Sequence, residues 1–342
     1  MSMPAGASAT SRGRGLLPLG ALALLALASV LFACAAGSVR LAPGEMGAGL
    51  AALLRGDRAG MAATLLGLRL SRALSGFATG AMLALAGVMM QALLRNPLAD
   101  PYVLGVSGGA SVGALAAMLF FDALWVIDAA AFGGALAVAL LLFALAHRDL
   151  RGGMDASAPL LLLTGVIVGA GCGALVTLLL SIAPDSRLRG MVFWMIGDLS
   201  GGQARWLPWL ALGVALAYAL RRARDINVLA LLAGGAEALG VPVGRLRRGL
   251  FFCAALLTAG AVSNAGSIGF VGLVVPHACR FALGPDHRLL LPASALAGGA
   301  FLVLADTLAR TVLAPQQLPV GVITALIGAP VFLLQLHRLG RR

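Results

Sequence analysis

Leu93-Leu94-Arg95-Asn96-Pro97-Leu98-Ala99-Asp100-Pro101-Tyr102-Val103-Leu104-Gly105-Val106-Ser107-Gly108-Gly109 sets a polar, proline-bracketed segment between two long apolar runs. Proline lacks the helix hydrogen-bond donor and restricts the residue before it. Two prolines beside an Arg and an Asp therefore end one helix and start another. The small residues Gly105, Ser107, Gly108 and Gly109 let backbones approach closely. Within a bilayer such a break is tolerated only where it is buried in protein or lines a water-filled path. The segment is thus a candidate element of a pathway.

Composition sets the class. The 342 residues are 60% hydrophobic and 11% charged, with a mean hydropathy of +0.98, whereas soluble domains carry about 25% charged residues. The expected fold class is an all-α polytopic membrane protein in contact with the lipid bilayer. The net charge of +12 raises nucleic acid as a partner, but the arginines flank apolar runs and aromatics make up only 6%. The charge reads as a topology signal, and no nucleic-acid partner is expected. All 25 basic residues are Arg and none is Lys. A phosphate-binding loop requires Gly-x-x-x-x-Gly-Lys-Ser/Thr, so these residues hold no such loop.

A spanning helix needs about 20 apolar residues. Apolar runs lie near 16–37, 73–94, 102–121, 126–146, 158–182, 206–220, 249–265, 268–283, 289–312 and 320–337, which predicts about ten transmembrane helices. Leu31-Phe32-Ala33-Cys34 resembles a lipoprotein cleavage site. The run is long and many spans follow, so the first helix is expected to be retained. Residues 38–71 read as a polar, partly amphipathic connector. Cys34, Cys172, Cys253 and Cys279 lie in or beside apolar stretches without paired spacing and read as packing residues. With the N-terminus inside, sixteen arginines fall inside and nine outside, which places both termini in the cytoplasm. The expected organisation is a cytoplasmic tail at 1–15, one transmembrane domain at 16–338 and a cytoplasmic tail at 339–342. Five external arginines sit in 38–72, a basic cluster suited to docking an acidic partner.

The longest polar segment on the inside is 221–248. Gly234-Gly235 and Gly240-Val241-Pro242 divide it. It reads as a pair of short helices offering Leu229, Leu231, Leu232 and Leu239 to a cytoplasmic partner.

Several motifs together resemble one family. Asn96-Pro97-Leu98-Ala99-Asp100-Pro101 with Leu104-Gly105-Val106-Ser107-Gly108-Gly109-Ala110 looks like a signature of the FecCD/BtuC-type permeases, the membrane subunits of ABC importers for ferric siderophores, haem and cobalamin. Leu68-Arg69-Leu70-Ser71-Arg72 resembles the family's Leu-Arg-Leu-Pro-Arg, with Ser71 in place of Pro. Gly269-Phe270-Val271-Gly272-Leu273-Val274-Val275-Pro276-His277 with Arg280 is similar to its strongest motif. Leu304-Ala305-Asp306 with Arg310, Leu318-Pro319-Val320-Gly321 and Gly328-Ala329-Pro330-Val331-Phe332 agree, in order, from about residue 16 onward. The resemblance implies a BtuC-like permease fold of ten helices in a bacterial inner membrane. It also implies a homodimer, two cytoplasmic ABC ATPase subunits and a periplasmic binding protein, with a metal chelate moving down the dimer axis. No cofactor is implied for this chain, since ATP and Mg belong to the partner ATPase. Asn96, Pro97 and Leu98 match a loop that narrows the cytoplasmic end of the path, and Ala156 and Ser157 match the other constriction. The segment holding Asn227, Leu229, Leu231, Leu232, Glu237, Leu239 and Gly240 matches the family's ATPase-coupling helices. Arg69, Arg72 and Arg310 match positions that meet acidic residues of the binding protein.

Two other classes compete with this reading. Gly105-Val106-Ser107-Gly108-Gly109 satisfies the Gly-x-Ser-x-Gly pattern of serine hydrolases, with His277 as a base, but small residues at helix interfaces explain it without chemistry. An ion-coupled secondary transporter needs intramembrane ionisable groups. Asp100, Asp198 and Asp306 are the candidates, yet Asp306 and Arg310 stand four apart on one helix and are expected to pair. The path lining is expected to be apolar and small, with Met82, Met89 and Met90 on one helix. Because the chain lacks a phosphate-binding loop, the purified chain alone should show no ATP hydrolysis above a buffer blank in a phosphate-release assay.

Overall fold

A computed structural model describes residues 10–37, 39, 41–56, 60–146, 157–201, 205–232 and 235–339. Among them are thirteen α-helices, one 3-10 turn and no strand. In chain order they are α1 (Thr10–Ala35), α2 (Pro43–Leu54), α3 (Met61–Leu93), the turn Pro101–Leu104, α4 (Val106–Phe120), α5 (Leu124–Ala146), α6 (Ser157–Ile182), α7 (Asp185–Ile196), α8 (Trp206–Arg221), α9 (Ala223–Leu231), α10 (Val243–Ala265), α11 (Val271–Leu283), α12 (His287–Thr311) and α13 (Val320–Leu339). Six helices are long and apolar enough to cross a membrane, and four shorter apolar ones accompany them. Each of the ten falls on one of the ten apolar runs.

The helix α3 is the centre of the bundle. Every residue from Ala78 to Leu93 is buried, so this helix is apolar all round and touches protein on every side. Met82, Met89 and Met90 are at most 1% exposed. They fill the core and line no path, which corrects that expectation. Around α3 pack α12, α10, α11, α1 and α2. Apolar side chains gain little from leaving lipid, so close packing and interhelical hydrogen bonds must hold such helices together. Both are present. A Cβ on Gly80 would lie 2.2 Å from the Gly298 carbonyl oxygen of α12, and one on Gly87 would lie 1.8 Å from that of Gly272 on α11. Asn264 of α10 donates to the hydroxyls of Ser75 and Thr79 on α3, each at 2.8 Å.

Polar contacts tie the start of α3 to α1 and α12. Helix α3 begins at Met61 and takes in much of the expected connector, in which α2 also forms. Arg69, one of the polar residues that suggested a connector, is satisfied internally. Arg69 Nη1 donates to the carbonyls of Cys34 (3.0 Å) and Ala35 (3.2 Å), and Nη2 donates to Val39. Arg310 Nη2 donates to the Ala33 carbonyl. The last carbonyls of α1, orphaned by the end of the helix, therefore meet guanidinium groups, as the negative end of the helix dipole favours. This binds α1 into the fold. Arg72 grips Asp306 through Nε (3.1 and 2.9 Å) and Nη2 (2.8 Å), and its Nη1 donates to Gln317 (2.9 Å). Arg310 Nε is 3.7 Å from the same carboxylate. The expected Asp306–Arg310 pair exists, but the closer partner is Arg72, which presents its fork of donors while Arg310 is committed to α1.

Two outcomes follow from this packing. Gly87→Ala should destabilise the detergent-solubilised protein by about 1–3 kcal/mol, the range for overpacking, whereas Gly133→Ala, with nothing within 4 Å, should leave the melting temperature unchanged. Removing either Arg72 or Asp306, whose side chains are 14% and 5% exposed, should cost about 3–5 kcal/mol because one buried charge is left behind. The Arg72→Ala/Asp306→Ala double variant should lose less than the sum of the two in thermal melts.

Candidate functional site

The proline-bracketed segment folds as a chain of local turns. Leu94 caps α3 and Arg95 reverses the backbone at φ +51°. The Asn96 amide returns to the Gln91 carbonyl (3.1 Å), and Ala99 N donates to Asn96 O (3.1 Å). Asn96 Oδ1 accepts from Leu98 N (2.9 Å), an Asx turn that pre-forms the bend. Asp100 Oδ1 accepts from Tyr102 N (2.7 Å) and caps the 3-10 turn. Burial pushes the Asp100 carboxyl up to about 6, against the lowering effect of the Tyr102 N–H. Gly105, at φ +69°, makes the left-handed step into α4. Pro97 is exposed, and Asn96 and Leu98 are half-buried. Ser157 opens α6, while Ala156 lies outside the described residues.

What holds this segment is the other strong motif. Tyr102 Oη accepts from Ile268 N (3.0 Å). Gln91 Nε2 donates to the Leu273 carbonyl (3.4 Å), and Arg280 Nη2 donates to Gln91 Oε1 (3.1 Å). Phe270 enters α11 at φ +70°, a conformation that is an outlier for a bulky residue. Between the two segments lies an open depression of about 400 Å³ lined by Asp100, Tyr102, Val103, Gly269, Phe270 and Leu273.

At the same end of α3 lies the polar 221–248 segment. Its first part is α9, and its second part is a run of turns at 235–240, not the second helix expected. The turns are closed by Leu239 N to Gly235 O (3.3 Å) and Val241 N to Ala236 O (3.1 Å). Gly240, at φ +78°, supplies the reversal before Pro242. Leu231, Leu232 and Leu239 are 75%, 43% and 63% exposed, and Glu237 and Gly240 are exposed beside them. Leu229 differs from expectation. It is 4% exposed, because it shares the inward face of α9 with Ile226, three residues earlier. Asn227 is bonded on both sides of its amide. Nδ2 donates to Asp286 Oδ1 (2.7 Å), and Oδ1 accepts from His287 N (2.9 Å) and faces His287 Nδ1 (2.7 Å). Burial pushes the Asp286 carboxyl up. The hydrogen bonds from the Arg288 amide and Asn227 outweigh that and hold it below the ordinary aspartate value.

The predicted residues thus form two groups at opposite ends of α3. Arg69, Arg72 and Arg310 share one end. Asn96–Leu98 and the α9 segment share the other. On α3 Arg72 and Gln91 are about 28 Å apart at 1.5 Å per residue, close to the hydrocarbon thickness of about 30 Å. Gln91, Asp286 and His287 were not singled out from sequence as site residues. Gln91 could have been found as a lone amide inside an apolar run, and Asp286 as a helix-capping residue just before one. The three carboxylates that ion coupling would use are occupied: Asp100 by Tyr102, Asp306 by Arg72, and Asp198 by the Ser200 amide (2.8 Å). Among the described residues no group of three or more His, Cys, Asp or Glu is placed to hold a metal ion.

Comparison with known proteins places this architecture. Residues 24–338 match the FecCD transport family. The cobalamin import system permease protein BtuC of Halobacterium salinarum is 47% identical over 279 residues, covering 79% of this chain and 72% of that one. The vitamin B12 import system permease protein BtuC of Escherichia coli O17:K52:H18 is 40% identical over 333 residues, covering 96% of each. The solved structure of a metal-chelate type ABC transporter in an inward-facing conformation superposes with a TM-score of 0.80 at 29% identity, over 94% of this chain and 99% of that one. The all-helical bundle is that of an ABC-transporter permease, and the chain belongs to the FecCD transport family.

Proposed function

We propose that this chain is the permease subunit of an ABC importer for cobalamin. The observation that carries the reading is the near end-to-end similarity to vitamin B12 permeases, 96% of both chains at 40% identity. The depression between the 96–105 segment and residues 268–273 supports a path at that end. Ferric siderophore and haem are the other chelates the family resemblance admits, and cobalamin is preferred over both because the relatives reported above carry its name.

In this reading two copies form the path, and alternating access moves the chelate along their shared axis. The apolar faces that one copy leaves open support a second copy: on α6, Val166, Ile167 and Leu178 are 58%, 63% and 54% exposed, and on α13, Leu326 and Leu333 are 67% and 65% exposed. Asn96, Pro97 and Leu98, with Ala156 and Ser157, would narrow the cytoplasmic end. The exposed leucines at 231, 232 and 239 would seat the ATPase, with Asn227 and Leu229 behind them. Arg69, Arg72 and Arg310 would lend positive potential to the face that meets a periplasmic binding protein. Their internal bonds mean that this acts as a field at the docking face more than as direct contact. Both termini face the cytoplasm in this arrangement.

The decisive measurement is uptake and ATP hydrolysis in proteoliposomes with the cognate ATPase and binding protein. Cyanocobalamin should stimulate both, and haem and ferric siderophores should not. Stimulation by either of those alone would move the substrate, and stimulation by none would overturn the class. Leu231→Asp/Leu232→Asp should abolish co-purification of the ATPase, since two charges replace the exposed apolar contact. A complex that survives would remove the coupling role. Association with the binding protein should slow as salt is raised, because steering between charged faces is screened. Salt-independent association would remove the docking role.

A further inference from the structure

The structure points to a role for Asn227 that neither its place on α9 nor its exposure suggests. Helix α9 sits on the bundle by apolar contacts from Ala223, Ile226 and Leu229, which are 1%, 1% and 4% exposed. Apolar contacts are non-directional and do not fix a helix against sliding. Asn227 supplies direction. Its amide joins the cap residue of α12, Asp286, and the first residue of that helix, His287. The Asp286 carboxylate needs a donor, so Nδ2 faces it and Oδ1 faces His287. His287 Nδ1 therefore carries the proton. That leaves His287 Nε2 an acceptor, buried and without a partner, and Arg280 Nε is a buried donor without a partner. His287 and Arg280 stand on α12 and α11, which pack against each other. Native structures satisfy nearly all buried polar groups, so each exception calls for an explanation. Here the two unsatisfied groups are complementary, a donor and an acceptor on adjoining helices.

From Arg280 the connection runs on by hydrogen bonds. Arg280 Nη2 donates to Gln91 Oε1, and the backbone carbonyl of Gln91 accepts from Asn96 N. The series Asn227, His287, Arg280, Gln91, Asn96, hydrogen-bonded at every step but that from His287 to Arg280, leads from the segment carrying the exposed leucines to the turn that carries Pro97 and Leu98. We propose that Asn227 is a positioning residue that transmits displacement of α9 to the N-terminus of α12, and that Arg280 and Gln91 carry it to the 96–98 turn. In this proposal the unsatisfied Nε groups of His287 and Arg280 are the joint at which α11 and α12 shift against each other. This rests on the reading of 227–240 as the ATPase contact.

Reversal of the hydrogen-bond polarity tests it. Asn227→Asp sets a second carboxylate against Asp286. Asp286→Asn alone keeps an oxygen to cap Arg288 N and to accept from Asn227. The double variant Asn227→Asp/Asp286→Asn restores a donor facing a carboxylate, with its roles exchanged. In the reconstituted complex, Asn227→Asp should retain the ATPase on co-purification and lower cyanocobalamin transported per ATP at least tenfold. Asp286→Asn should stay within twofold of wild type, and the double variant should recover to within threefold. A readout independent of substrate is the maleimide labelling rate of a cysteine introduced at Leu98. Nucleotide should change that rate in the parent and in the double variant but not in Asn227→Asp. An unaltered ratio in Asn227→Asp, loss of the ATPase from it, or a double variant no better than the single overturns the proposal. Retention of the ATPase by the Leu231/Leu232 double aspartate would instead overturn the contact reading. Absence of cobalamin uptake in the parent would overturn the substrate reading, with the labelling result still deciding this one.

Discussion

The close approach of α3 to α11 and α12 fixes where the rest of the molecule goes. At Gly87 and Gly80 backbone lies against backbone with no room for a Cβ. Contact this close gains dispersion energy along the whole seam, which matters in lipid because burial of apolar surface contributes little there. Polar side chains then hold both ends of the seam. Arg72 meets Asp306 in the first half of α3 and the last turns of α12, and Gln91 meets Arg280 and the Leu273 carbonyl where α3 ends. Loss of the glycine contact would move both polar layers at once.

The arginines show how a membrane protein uses charge within its fold. Arg69 and Arg310 are 7% and 6% exposed and Arg72 is half-buried, and their donors go to carbonyls of Ala33, Cys34, Ala35 and Val39, to one carboxylate and to the Gln317 side chain. A helix end has carbonyls without internal partners. A planar group with several donors can satisfy more than one of them at a time. The same residues are the ones the family resemblance assigns to docking. The two roles are compatible, because a guanidinium held in place by internal bonds still contributes its field to the surface above it.

Much of this was legible in the sequence, and the failures have physical causes. The ten apolar runs correspond to ten apolar helices because a spanning helix has a minimum length and little tolerance for charge. The start of α3 was placed near residue 73, and the helix begins at Met61, since Arg69 and Arg72 read as solvent-exposed when their partners, from Ala33 to Asp306, are distant in sequence. Helix α7 is short and half-polar and so leaves no apolar run in the sequence. Leu229 was grouped with its exposed neighbours because leucines spaced by two and three on a short helix do not announce which faces inward. Asn227 was singled out, but its partners Asp286 and His287 were not. A hydrogen bond across 59 residues leaves no periodic trace, whereas the turn at Asn96–Asp100 is written in adjacent residues and was read directly.

The 96–105 segment takes its residues from the α3–α4 connection but its anchors from elsewhere. Tyr102 is held by the Ile268 amide, 166 residues away, and Pro101 packs against Gly272, where a Cβ would lie 2.8 Å from the proline ring. The part that carries Asn96, Pro97 and Leu98 and the part that fixes their position are therefore inherited as separate stretches of chain. A segment transplanted from a relative into 96–105 would arrive without the Ile268 backbone donor and the Gly272 surface it was shaped against. In a chimera the functional unit is the pair of stretches, and crossover points are tolerable only where both come from the same parent.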